Sequence, residues 1–157
     1  MRSNVDPKRS RNMAAIRHKN TKPEIFVRKA LWERGLRGYR LHDKSLPGQP
    51  DIRFTRYNAV IFVHGCYWHR HQGCSKTTSP RTNADFWKTK LNRNAERDRA
   101  HVLALRELGW RVAIVWECAL HKKHREQIQP IEKLANWLAG DNDRIVIPSN
   151  PPEPKPD

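Results

Sequence analysis

No apolar run in this sequence approaches the roughly 18 residues that span a bilayer, so a membrane helix is excluded. The N-terminus is basic but has no apolar signal core, and a cytoplasmic protein is expected. Acidic residues are scarce. Sixteen Asp and Glu stand against 31 Lys and Arg, a formal net charge of +15. A balance this basic points to a polyanion, with nucleic acid first, although ribosomal-type and membrane-surface proteins share it. Cysteines number only three. An odd count in a reducing compartment favours metal binding or burial over disulfides. There is no internal repeat. What is present is 157 residues, one domain's worth with a modest core. Six Trp are many for that length, some core and some candidates for stacking on bases.

Residues 1–22 hold seven Lys/Arg and one acid, Asp6, and read as a basic arm, with a short helix expected around 12–17. Thr21-Lys22-Pro23-Glu24 fits a capping box, which predicts a helix to about Arg34 with Gly35 as its stop. Tyr39-Arg40-Leu41 suggests a short strand, Leu46-Pro47-Gly48 a turn and residues 51–54 a strand. Arg56-Tyr57-Asn58 turns the chain into a buried strand, 59–63, making an antiparallel hairpin. After a polar loop, a helix is expected from about Ala84 to Leu108 and a strand over 110–116. That βαβ span predicts parallel strands 59–63 and 110–116. A last helix covers about 125–139. The folded domain is set at 23–140. Residues 141–157 are read as a Pro-rich tail, with five prolines from 148 onward and disorder expected there.

The densest chemistry lies just past strand 59–63. His64-Gly65-Cys66-Tyr67-Trp68-His69-Arg70-His71-Gln72-Gly73-Cys74 holds three histidines, two cysteines and two adjacent aromatics. Loops carried by a rigid strand are where sites usually sit. Cys118 follows the parallel strand 110–116, so the two strand ends bring the cysteines together. Cys66, His71, Cys74 and Cys118 make a Cys3His set for tetrahedral Zn2+, a closed site of structural type. His69 is the alternative to His71, and plain burial of two cysteines is the alternative to metal.

Asp51 lies opposite Phe62 or Val63 in the hairpin register, beside the Val63 carbonyl and His64. A carboxylate and a main-chain oxygen suit Mg2+, while a plain turn aspartate after Pro50 is the competing reading. Trp87, Leu91, Ala95, Asp98, Val102 and Leu105 fall within one stripe of about 80° at 100° per residue. Asp98 is thereby predicted on the inner face of its helix, paired with an arginine or aimed at a metal-bound water. Glu24 is either the capping-box acid or a site residue sharing a face with Val27 and Leu31. Tyr67 and Trp68, consecutive in extended chain, point opposite ways, so both are not core; stacking on bases is the alternative. Trp87 opens the apolar stripe and either packs or stacks.

Taken together, these residues resemble the very-short-patch repair endonucleases, a mismatch-nicking branch of the PD-(D/E)xK nuclease superfamily. The resemblance runs from about Ser10 to Leu138. It rests on Ser10-Arg11-Asn12-Met13, Leu46-Pro47-Gly48-Gln49-Pro50-Asp51, the segment from Val60 to His69, Asn94-Ala95-Glu96-Arg97-Asp98, and the segment from Gly109 to Cys118. It implies an α/β fold, a restriction-endonuclease-like mixed β-sheet flanked by helices, over 23–140, with a structural zinc site. It implies nicking of duplex DNA 5′ to the T of a T:G mismatch left by 5-methylcytosine deamination. By resemblance Asp51 and the Val63 carbonyl bind Mg2+ and His69 is the general base. His64, Asp98 and Glu24 orient water or the metal's shell. Tyr67, Trp68 and Trp87 wedge into the base stack, with Met13 entering from the other groove. A monomer is expected, nucleoid-associated when on DNA, with a mismatch-repair factor and a cytosine-5 methyltransferase as functional links. The chain departs from the pattern in three ways. The superfamily's second acid and lysine are missing after Asp51, as in this branch. Val63 stands for a common threonine, and the His71–Cys74 interval is one residue longer. The competing readings are another Mg-dependent restriction-like or structure-specific nuclease, and a zinc-stapled DNA-binding module without catalysis.

Overall fold

The structure, a computed structural model, describes residues 19–120 and 124–149. Helix α1, Lys22–Glu33, starts where Thr21 Oγ1 accepts the Glu24 N–H at 3.4 Å. Pro23 occupies the first turn, where a missing N–H leaves no bond unmade. The helix ends at Arg34, and Gly35 follows with φ +79°. Strand β1, Arg40–Leu41, pairs antiparallel with β2, Ile52–Phe54. A 3-10 turn at Thr55–Tyr57 and a left-handed Asn58 lead into β3, Ala59–His64, antiparallel to β2 with Ile52 opposite Ile61. Helix α2, Ala84–Glu107, crosses to β4, Arg111–Trp116, which lies parallel to β3. Helix α3, His124–Ala139, then crosses to β5, Arg144–Ile147, parallel to β4. The five-stranded mixed sheet runs β1-β2-β3-β4-β5.

Alternation along β3 and β4 separates two cores. Ala59, Ile61, Ala113 and Val115 pack against α1 and α3 through Val27, Leu31, Leu134 and Leu138. Val60, Phe62, Val112 and Ile114 face Val102 and Leu105 of α2. Each such aliphatic side chain, fully buried, contributes about 1.5–3 kcal/mol. Helix α2 buries only Leu91, Val102 and Leu105 among 24 residues. Its hold on the sheet is therefore concentrated in its second half, and its first half is free for other contacts.

The sequence reading missed β5. The prolines after 147 led residues 141–157 to be read as tail, yet Arg144-Ile145-Val146-Ile147 is a β-branched run that continues the sheet. Met13, the rest of the arm up to residue 18, and residues 150–157 lie outside the described residues. Among the described residues no helix is long and apolar enough to cross a membrane.

Candidate active site and metal-binding cluster

The C-terminal ends of β3 and β4 and the start of β2 carry the chemistry. Three groups of potential ligands gather there, each with donor atoms within 4.8 Å of one another: Glu24, His42 and Asp51; His64, His69 and Asp98; Cys66, His71, Cys74 and Cys118.

Asp51 precedes β2 and reaches across to β3, where its Oδ2 accepts the Val63 N–H at 2.7 Å. The Val63 group in contact with this carboxylate is thus the amide. Burial pushes the Asp51 carboxyl up to about 7; the Val63 N–H opposes the rise, the Glu24 charge adds to it, and His42 and His69 oppose it. Glu24 comes from α1 and is 2% exposed. Its amide makes half of the capping box, but its carboxylate turns inward to His42 Nε2 and lies 3.6 Å from Arg28. The reciprocal bond back to Thr21 is not the one it makes.

His42 was not singled out from the sequence. It follows a two-residue strand and carries no periodic signal. The register holds the clue: Leu41 pairs with Ile52, so the next residue must meet Asp51. The His42 N–H donates to the Asp51 carbonyl at 3.2 Å.

Asp98 reaches in from α2 on the other face of the sheet. Its Oδ2 sits 2.5 Å from His69 Nδ1. The expected partner was an arginine or a metal-bound water; the structure supplies a histidine. An ionised carboxylate only accepts, so Nδ1 donates to it, and in the neutral ring that tautomer keeps the lone pair on Nε2. The His64 ring stacks on His69 at 3.9 Å and 5°. Burial holds His64 well below the usual imidazole range, and the neighbouring His69 lowers it further. Gly48, with φ +76°, lets the loop before Asp51 rest on His101 of α2; a Cβ there would stand 2.9 Å from the His101 Cβ. The loop of Asp51 and the helix of Asp98 are thereby in direct contact.

The third group is closed. His71 is 1% exposed and presents Nδ1 to Cys118 Sγ at 3.5 Å. Its ring stacks on Trp116 at 4.2 Å. Cys66 is buried and hydrogen-bonds Cys118, an interaction that raises Cys66 and lowers Cys118; burial raises Cys66 further. The loop is pinned by Cys66 N–H to Glu117 Oε1 at 3.0 Å and by Thr77 Oγ1, which donates to the His71 carbonyl at 2.6 Å. Glu117 and Thr77 escaped the sequence reading; only Glu117's place beside Cys118 hinted at a role. His69 stands with Asp98, so His71 is the histidine that joins the thiols.

Tyr67 and Trp68 are not in extended chain. The His69 N–H bonds the Gly65 carbonyl and the His71 N–H bonds the Cys66 carbonyl, which makes the segment a tight turn. Both rings are half-buried and meet edge to face at 5.2 Å, and Trp68 meets Trp87 at 6.4 Å. Beyond Trp87 an open groove of about 770 Å³ follows α2, lined by Phe86, Lys90, Arg93 and Arg97 among others. Lys90 Nζ stands 5.2 Å over the Trp87 ring. Aromatic and cationic side chains thus line the helix that carries Asp98.

Comparison with known proteins bears on this arrangement. Residues 4–76 match the family described as DNA mismatch endonuclease Vsr. The chain is 43% identical over 134 residues to the DNA mismatch endonuclease Vsr of Escherichia coli strain K12, covering 85% of each chain. It is 46% identical over 116 residues to the type II nicking enzyme V.NmeAIP of Neisseria meningitidis serogroup A, covering 74% of this chain and 81% of that one. It is also 46% identical over 121 residues to the type II nicking enzyme V.XorIIP of Xanthomonas oryzae pv. oryzae, covering 76% of this chain and 88% of the relative. With that identity sustained across most of both chains, this protein belongs to the Vsr DNA mismatch endonuclease family.

Proposed function

We propose that this DNA endonuclease nicks one strand of duplex DNA 5′ to the T of a T:G mismatch, with Mg2+, in very-short-patch repair. The observation that carries the reading is the Asp98–His69 pair beside the carboxylates of half-buried Asp51 and buried Glu24. The E. coli relative named a DNA mismatch endonuclease and the two named nicking enzymes support the substrate and the single-strand cut.

Two carboxylates held close together, Glu24 buried and Asp51 half-buried, fit a divalent cation, because neither is stable there as an uncompensated charge. Asp51 would hold Mg2+ together with the Val63 carbonyl, and Glu24 would orient its water shell. A cation held there would supply charge neutralisation at the phosphate's nonbridging oxygens and help for the leaving oxygen. Asp98 holds the His69 Nδ1–H, so Nε2 accepts the proton of the attacking water and the carboxylate stabilises the imidazolium that results. His64, kept neutral by burial, backs the His69 ring without adding a competing charge. Three sulfurs and a nitrogen facing one another, Cys66 and His71 buried and Cys74 and Cys118 half-buried, fit Zn2+; these four residues would hold it as a structural ion. Tyr67, Trp68 and Trp87 would enter the stack at the mismatch, where unstacking is cheapest. Met13 would enter from the opposite groove. The basic surface supplies attraction to the backbone, and a mismatch-repair factor and a cytosine-5 methyltransferase are the functional links this reading implies.

The test is a labelled T:G duplex beside its T:A control, with and without Mg2+. One nick in the T strand of the T:G duplex, dependent on Mg2+, is expected. Equal cutting of both duplexes would move the chain to a general nuclease, and tight binding without any cut would leave a DNA-binding module.

A further inference from the structure

We infer that His42 is a metal ligand: with Glu24 and Asp51 it makes a donor set of one nitrogen and two oxygens that favours a borderline divalent cation, Mn2+ or Co2+, over Mg2+. The inference rests on the proposed reading of Asp51 as a metal ligand, and goes beyond it in moving Glu24 from the water shell to a direct donor, in adding His42 as a nitrogen donor and in the selectivity that follows.

Placement comes first. The donor atoms of the three residues lie within 4.8 Å of one another. Ligands of one octahedral cation at about 2.1 Å stand about 3.0 to 4.2 Å apart, so these atoms need only small shifts to share an ion, with His42 and Glu24 parting to admit it. His42 does not arrive there by chance of a mobile side chain. Its φ is +48°, a left-handed conformation that few non-glycine residues hold without support. That support is visible. The His42 N–H is tied to the Asp51 carbonyl at 3.2 Å and the Asp43 N–H to the Pro50 carbonyl at 3.3 Å. The side chain of Asp43 in turn binds Arg53 and the Ser45 amide. The backbone is bent and clamped so that the imidazole meets Glu24.

Charge gives a second reason. Glu24 is almost fully buried and faces a second, half-buried carboxylate, Asp51. Arg28, 3.6 Å from Glu24, and His42 are the partners of the Glu24 carboxylate among the described residues. His42 Nε2 and Glu24 Oε1 are in direct hydrogen-bond contact. A cation held there would take the Nε2 lone pair, with any proton on that nitrogen released to water. The other nearby histidines are engaged elsewhere: His69 Nδ1 by Asp98, and His64 stacked on His69.

Selectivity follows from the donor type. Mg2+ takes oxygen and releases its waters reluctantly, whereas imidazole suits Mn2+, Co2+ and later metals. A site of oxygens alone would not make that distinction.

The experiment is pulsed EPR of Mn2+ bound to the full-length, zinc-loaded protein with isotope-labelled histidine, alongside calorimetric titration with Mn2+ and with Mg2+. A directly bound nitrogen should couple to Mn2+ in the wild type. The coupling should vanish in His42→Gln and persist in His69→Gln. Mn2+ affinity should fall about 10- to 100-fold in His42→Gln, while Mg2+ affinity changes by less than about threefold. Bound Mn2+ with no nitrogen coupling in the wild type overturns the inference, as does coupling that survives in His42→Gln or disappears in His69→Gln. Those outcomes leave Asp51 as a ligand. Mn2+ binding indifferent to Asp51→Asn would instead remove the reading on which the inference rests. The wild-type spectrum decides the matter even if His42→Gln folds poorly.

Discussion

Two kinds of donor cluster flank the segment from His64 to His71, and they are built on opposite lines. The Cys66–His71–Cys74–Cys118 group is soft and closed, its histidine 1% exposed and stacked against Trp116. Its loop is pinned by backbone bonds to Glu117 and Thr77. The acid–histidine groups are hard, charged and drawn from both faces of the sheet, Glu24 from α1 and Asp98 from α2. His69 and Asp98 keep 31% and 24% of their side-chain surface. The contrast separates what the fold requires from what the reaction requires. A closed thiol set fixes a loop and takes no substrate. An open set of carboxylates and imidazoles is costly to the fold and useful only when a phosphate and a cation arrive.

That division makes distinct demands on each cluster. Asp51→Ala should lower nicking by at least about a thousandfold, since the cation's several kcal/mol of charge stabilisation goes with it. DNA affinity and zinc content should stay near wild type, as gel-shift and elemental analysis would establish. A parallel loss of zinc would merge the two clusters into one.

Cys118→Ser attacks the other side. It should lose the stoichiometric zinc and lower the unfolding midpoint by about 10 °C or more, because a structural metal's binding energy is folding energy. Nicking at low temperature should outlast the loss of stability. Freshly purified wild type without metal would defeat the zinc assignment.

Trp68→Ala tests the surface between them. One aromatic stacking contact is worth roughly 1–3 kcal/mol, so the preference for T:G over T:A should fall about 5- to 100-fold. The salt dependence of binding should hardly move, since an uncharged ring neutralises no phosphate. Equal loss on both duplexes, with a lower melting temperature, would make Trp68 a packing residue.

The smallest effect is on pH. The Asp51 carboxyl is raised from 3.8 to about 7, chiefly by burial. In metal-free protein its contribution to stability is full below the unfolded value and is lost as pH rises through about 7. Asp51→Asn should therefore raise the midpoint of the metal-free protein by a few degrees at about pH 8 and change it little near pH 4. Equal shifts at both pH values would argue against a buried charge.

The sequence made the soft cluster more legible than the hard one. Cysteines are chemically distinctive, and two parallel strand ends must lie side by side, so Cys118 could be joined to Cys66 without coordinates. The helical stripe turned Asp98 inward but could not name His69 as its partner, because that pairing joins a loop to a helix. His42 was hidden for a simpler reason: one histidine after a two-residue strand has no period, and only the ladder shows that it meets Asp51. The opposed directions expected of Tyr67 and Trp68 assumed extended chain, and the hydrogen bonds to the Gly65 and Cys66 carbonyls make a turn instead. Strand β5 was masked by the prolines that follow it.

Gly48 gives this asymmetry a mechanical side. The groups that would hold the cation and the groups that would move the proton sit on separate elements, Asp51 on the loop before β2 and Asp98 on α2. The gauge between them is a missing carbon atom, the Cβ that would stand 2.9 Å from the Cβ of His101. Restoring that atom would wedge the Asp51 loop away from α2. The spacing of the two halves is thus set by a residue that carries no functional group, and tolerance at that point is measured in tenths of an ångström.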